Sequence, residues 1–135
     1  MDEGSNYRKE KEQFSAIAWG FTQSGVFAQL SGSASKVLIA IASLTNRYRN
    51  TSVINNTLSR WAGINSSTVK NSLRELEYYQ FIKRISLPGG SCAHRKRMIV
   101  LQRWDTAREK LIKENKINVD KEEKVIHVRP NPFRK

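Results

Sequence analysis

The sequence predicts an α+β fold, mainly α, with a small β-hairpin and a further helix on its C-terminal side. Three observations lead there. Residues 58–85 (LSRWAGINSSTVKNSLRELEYYQFIKRI) hold two helical patterns separated by a Gly-Ile corner, and they run directly into an alternating stretch. Residues 81–101 hold two β-rich stretches on either side of Pro88-Gly89-Gly90-Ser91. A chain of 135 residues, 39% hydrophobic, can bury one core with arms and cannot bury two.

In chain order, residues 1–13 are charged and lack apolar periodicity, as expected of a mobile arm. Residues 14–30 are dense in Phe and Trp at irregular spacing, which suits padding of a core or of a neighbouring chain better than a base-stacking platform. A scaffold helix follows, in which Ala34, Val37, Leu38, Ile41, Ala42 and Leu44 form a wide apolar surface. Ser33 or Ser35 is its expected cap, and Asn46 or Asn50 its expected stop. At its exit, Arg47, Tyr48 and Arg49 fit either a solvated helix end or phosphate contact. Residues 51–54 (TSVI) are β-branched and predict the first strand of a small sheet.

Asn55, Asn56 or Thr57 is expected to cap the next helix, whose apolar side is Leu58, Trp61 and Ala62. Gly63 permits the positive φ of a sharp turn, and Ile64 plugs the corner. Asn65, Ser66 and Ser67 offer side-chain oxygens to the orphan N–H groups of a second helix. Val69, Leu73 and Leu76 fall on its inner face at i, i+4, i+7 spacing. The face carrying Ser67, Lys70, Asn71 and Arg74 is polar and cationic, which suits contact with a polyanion rather than burial.

Residues 81–87 alternate as FIKRISL, with Phe81 or Ile82 as anchor and Lys83 and Arg84 outward; Pro88-Gly89-Gly90-Ser91 has turn chemistry, and Arg97–Leu101 reads as the returning strand. His94, Arg95, Lys96 and Arg97 lie between turn and strand, where a charge run beside an exposed helix suits phosphate contact. Residues 104–116 predict a C-terminal helix, with Trp104, Ala107, Arg108, Leu111 and Ile112 on one side. It could fold back on its own domain or pair with a twin, in which case Trp104, Ala107, Leu111 and Ile112 would form a homodimer seam. Residues 117–135, the basic tail, mix a short apolar alternation at Val125, Ile126 and Val128 with Pro130 and Pro132, which fits either an added strand or a basic arm. The expected organisation is thus an arm (1–13), a main domain (14–103), a helix (104–116) and the tail.

Leu58, Gly63-Ile64, Asn65-Ser66-Ser67-Thr68-Val69, Leu73, Leu76 and Phe81-Ile82 together make the segment resemble the winged helix-turn-helix family of bacterial, phage and plasmid proteins. The likeness spans residues 25–101. It departs from the family pattern at Ser59, where Ala is usual, and at Gln80, where Gly usually ends the second helix. Gln80 must therefore take a left-handed conformation or let the helix end differently. The resemblance implies a short helix before the domain, a β-hairpin wing and a recognition helix for the major groove. It also points to plasmid or phage biology, since members with an extra aromatic N-terminal segment are often replication initiators or regulators of mobile elements.

Composition agrees with a nucleic-acid partner. The 24 Lys and Arg against 12 Asp and Glu leave a formal charge of +12, felt by a polyanion over a Debye length of about 8 Å at physiological salt. No apolar run approaches a membrane span, the N-terminus lacks a signal-peptide layout, and the single Cys92 excludes an internal disulfide, so a cytoplasmic location is expected. Enzyme chemistry finds no support. Glu75, Glu77, Asp105 and Glu109 form no metal-holding pair, Cys92, His94 and His127 lack zinc-site spacing, and Gly89-Gly90 lacks the partners of a phosphate loop. No cofactor is expected. The expectation is a non-enzymatic, sequence-specific double-stranded DNA-binding protein. Asn71 and Arg74 would read bases, Ser66, Ser67, Thr68 and Lys70 would contribute at the same helix, and His94, Arg95, Lys96 and Arg97 would grip the flanking backbone. Transcriptional regulation comes first, replication initiation or partition of a mobile element second, and a protein–protein interaction module is the alternative from another class.

Overall fold

The computed structural model describes residues 19–45, 48–86, 97–120 and 125–133. The expectations for the arm, the 88–91 turn, Asn46, Arg47 and Cys92 lie outside them. The described elements are α1 (Trp19–Gln23), a 3-10 turn (Phe27–Gln29), α2 (Gly32–Leu44), β1 (Asn50–Thr51), α3 (Asn55–Ala62), α4 (Ser66–Tyr78), β2 (Ile82–Ser86), β3 (Arg97–Leu101), α5 (Trp104–Lys113), β4 (Ile117–Asp120) and β5 (Val125–Val128). The fold is α+β, with about 53% of the described residues helical and small antiparallel sheets.

Helix α2 is the scaffold. Ala34, Val37, Leu38 and Ile41 recur at helical spacing and are wholly buried, and both α3 and α4 pack against this helix. Its cap is Ser31 rather than Ser33 or Ser35: the Ser31 hydroxyl accepts from Ala34 N–H at 3.2 Å, while Ser35 Oγ donates back to the Ser31 carbonyl. The helix ends at Leu44, with Thr45 in extended conformation and its hydroxyl bonded to the Ala42 carbonyl. Asn50, a candidate stop, lies in β1 instead.

Helix α3 begins without a side-chain cap. Ile54 occupies the N-cap position, so none of Asn55, Asn56 and Thr57 serves there. Leu58 is wholly buried, but Trp61 is 58% exposed and does not belong to the inner side. At 63 the chain takes the left-handed turn that glycine allows, with φ 71°. Ser59 fastens that turn: its carbonyl accepts from Gly63 and Ile64 N–H, and its hydroxyl donates to the Ile64 carbonyl. A hydroxyl in place of the methyl of Ala thus gains a specific partner.

Helix α4 is capped by Asn65, whose Oδ1 accepts from both Thr68 N–H at 2.8 Å and Thr68 Oγ1 at 2.9 Å. Val69, Leu73 and Leu76 have no exposed surface and share one core with Val37, Leu38 and Ile41. Each such side chain contributes about 1.5–3 kcal/mol on burial. Gln80 resolves the helix exit in left-handed form, with φ 63°. Its amide is held at both ends, accepting from Gln102 Nε2 at 2.9 Å and donating to Glu114 Oε1 at 3.0 Å.

The first sheet is antiparallel in the order β1-β3-β2, with Asn50 opposite Val100, and Ile82 opposite Leu101. Its inner residues Ile82, Ile99 and Leu101 join the common core. The first strand is Asn50–Thr51, so Val53 and Ile54 of the expected TSVI strand lie beyond it. Arg49, at φ 66°, turns inward and donates from Nε to the Leu101 carbonyl and from Nη2 to the Gln102 carbonyl, both at 3.3 Å. It therefore secures the end of β3 rather than standing as a solvated helix end.

Helix α5 folds back on its own domain. Ala107 and Leu111 have no exposed surface, and Trp104 meets Phe21 edge-on at 5.0 Å while Phe21 stacks on Phe81 at 4.3 Å. This corrects the proposed homodimer seam: among Trp104, Ala107, Leu111 and Ile112 only Ile112 is exposed, because the chain's own core takes the other three. The aromatic-rich stretch accordingly pads the core through Phe21, Val26 and Phe27. Gly20 lies so close to the indole that a Cβ there would fall 2.0 Å from Trp104 Cδ1. The expected basic tail is partly a hairpin, in which β4 pairs with β5, Ile117 is buried, and Ile126 and Val128 pack on the core.

Candidate nucleic-acid interface

The outer side of α4 is built by the same periodicity that buries its inner side. Ser67, Lys70, Asn71 and Arg74 recur at i, i+3, i+4 and i+7, and all are exposed. Their side chains have no hydrogen-bond or ion-pair partner among the described residues. Ser66 is also exposed and lies against α3, its Oγ donating to Asn56 Oδ1 at 3.4 Å. Thr68 is different. Its hydroxyl is committed to the Asn65 cap, so this candidate contact has a local structural role.

Both acids of α4 are engaged by partners within the fold. Glu75 is 3% exposed; its carboxylate accepts from Ser31 N–H at 2.6 Å, Ser31 Oγ at 2.9 Å and Asn131 Nδ2 at 3.0 Å. Placed at the N-terminus of α2, its negative charge also faces the positive end of that helix dipole. Glu77 pairs with Arg84 of β2, whose Nε donates to Oε1 at 2.8 Å. Arg84 is consequently half-buried, while Lys83 remains outward. What remains unpaired on the outer face is one ammonium, one guanidinium, one carboxamide and hydroxyls, a set rich in donors, with the neighbouring Glu77 carboxylate neutralised by Arg84.

Of the wing candidates, His94, Arg95 and Lys96 lie outside the described residues, and Arg97 begins β3. Arg97 stands apart from the exposed group. Its Nη2 donates to Asn55 Oδ1 and to the Val53 carbonyl at 3.4 Å, tying the base of the sheet to the start of α3. Burial lowers its pKa, and the nearby Arg84 charge lowers it further, while Glu77 acts in the opposite direction. Sequence reasoning overlooked Asn56 and Arg60, both exposed on α3, with Asn56 touching the N-terminal turn of α4. Their i, i+4 spacing away from Leu58 was the available signal.

Among the described residues no group of three or more His, Cys, Asp and Glu is placed to hold a metal ion, and no helix is long and apolar enough to cross a membrane. Comparison with protein-family models, curated proteins and solved structures finds no match to the chain.

Proposed function

We propose that this chain is a sequence-specific double-stranded DNA-binding protein of winged helix-turn-helix architecture, non-enzymatic and acting in the cytoplasm as a transcriptional regulator. The observation that carries this reading is the outer face of α4: exposed Ser67, Lys70, Asn71 and Arg74 without side-chain partners among the described residues, both acids of the helix held by partners within the fold, on a chain of net charge +12. Arg74 has the two-pronged geometry for guanine O6 and N7, and Asn71 for adenine N6 and N7. Lys70, Ser66, Ser67 and the backbone around Thr68 suit phosphate oxygens, as does the chemistry of His94, Arg95 and Lys96, which precede β3 in sequence. Replication initiation or partition for a mobile element would use the same surface.

An interaction module that holds another protein is the second reading, favoured by the 58% exposure of Trp61 on α3. A gel-shift series on random duplex at rising salt separates the two. DNA binding gives a steep linear fall of log affinity with log salt, lessened by about one unit for each phosphate contact removed by Arg95→Ala or Lys96→Ala. Absence of duplex binding at every salt concentration would overturn the DNA reading. Selection from a random pool by the full-length chain then identifies the preferred duplex.

A further inference from the structure

The flank and C-terminal end of α4 are held by chain that lies more than fifty residues away in sequence. Asn131 is 8% exposed, and its Nδ2 donates to Glu75 Oε2 at 3.0 Å and to the Gln29 carbonyl at 2.8 Å, while its Oδ1 accepts from Phe133 N–H at 2.8 Å. Two contacts flank it. The Tyr79 hydroxyl donates to the Arg129 carbonyl at 2.9 Å, and the Phe133 ring meets Tyr78 edge-on at 5.8 Å. Glu75 immediately follows Arg74, so a hydrogen bond that fixes one fixes the rotation of the other about the helix axis.

We propose that residues 129–133 are a positioning strap for α4, aiming its Ser67, Lys70, Asn71 and Arg74 face through the Ser31–Glu75–Asn131 hydrogen-bond cluster. The inference rests on the DNA-binding reading and extends it to the flank of the helix beside that face. Apolar contacts of Val69, Leu73 and Leu76 hold α4 against α2 but are non-directional, and they tolerate a small roll. A buried carboxylate with three donors from two other segments does not, because rolling would strand a charged group without partners. Base reading demands that angular accuracy, whereas phosphate attraction does not.

The test uses full-length chain, the duplex it selects from a random pool and a scrambled duplex of equal length. Asn131→Ala is expected to reduce discrimination between the two duplexes about tenfold, leaving affinity for the scrambled duplex and its salt slope unchanged. Tyr79→Phe, which removes only the hydroxyl donated to Arg129, is expected to act in the same direction by about twofold, and it keeps the test decisive should Asn131→Ala not fold. Ala107→Gly on α5 serves as a control, lowering the melting temperature without lessening discrimination. Undiminished discrimination in both strap variants would overturn the proposal, as would an equal loss on both duplexes or a comparable loss in the control. A wild-type chain that binds duplex with salt dependence but does not discriminate overturns the strap and the sequence specificity while leaving DNA binding standing; one that binds no duplex overturns the DNA reading and the strap together.

Discussion

The two sides of α4 differ in how completely they are committed. Inward, Val69, Leu73 and Leu76 have no exposed surface, and Glu75 spends its carboxylate on Ser31 and Asn131. Outward, Ser67, Lys70, Asn71 and Arg74 have no side-chain partner among the described residues. The same 13-residue helix therefore carries a stability face and an exposed, uncommitted face with little overlap, and substitutions on each should register in different measurements.

Leu73→Ala tests the inward side most severely. It should lower unfolding free energy in urea by about 2–5 kcal/mol, because the void it leaves is walled by α2 and closes only in part. A midpoint unchanged from wild type would mean that α4 is not seated as described. Arg97→Ala should follow at about 1.5–3 kcal/mol, the range for hydrogen bonds to a charged group, because its guanidinium joins β3 to Asn55 and the Val53 carbonyl. If only DNA affinity changed and the melting curve did not, Arg97 would belong with the exposed cations after all. Asn65→Ala removes the cap of α4 and should cost about 1 kcal/mol, read by thermal denaturation. Asn71→Ala and Arg74→Ala mark the other extreme, with stability within about 0.5 kcal/mol of wild type. In duplex titrations, however, each should lose about 1–3 kcal/mol of binding on the preferred site. Should either variant unfold easily, the division between the two sides of the helix would fail.

Much of α4 was legible because the pattern is local: apolar residues at i, i+4 and i+7, Asn65 ahead of them, and Gly63 at a corner only a flexible backbone turns easily. Gln80 could be read as a choice between two helix exits, and the left-handed one is taken. Trp61 could not be assigned correctly from one helix, since whether a large apolar side chain is buried depends on whether another element arrives to cover it. Trp104 has such a partner in α1, where Gly20 and Phe21 receive the indole. The C-terminal hairpin was obscured for a related reason: its strands are four residues each and alternate weakly, and only Ile117, Ile126 and Val128 reach the core. Glu75 reads as one more helical charge until residues 31 and 131 are brought to it, a juxtaposition that no local window contains.

The joint between β3 and α5 is only two residues long, Gln102 and Arg103, and its first residue is gripped from three directions. Gln102 N–H donates to the Phe81 carbonyl, its carbonyl accepts from Arg49, and its side chain donates to Gln80. A link held this way acts as a phase lock between the sheet and everything after it. One residue inserted at 103 would advance α5 by about 100° at 3.6 residues per turn, swinging Ala107 and Leu111 out of the core and presenting Thr106 and Lys110 to it. Length at this joint is therefore less tolerant of change than residue identity, and even a well-chosen polar insertion should unseat the C-terminal part of the domain while leaving the α2–α4 packing in place.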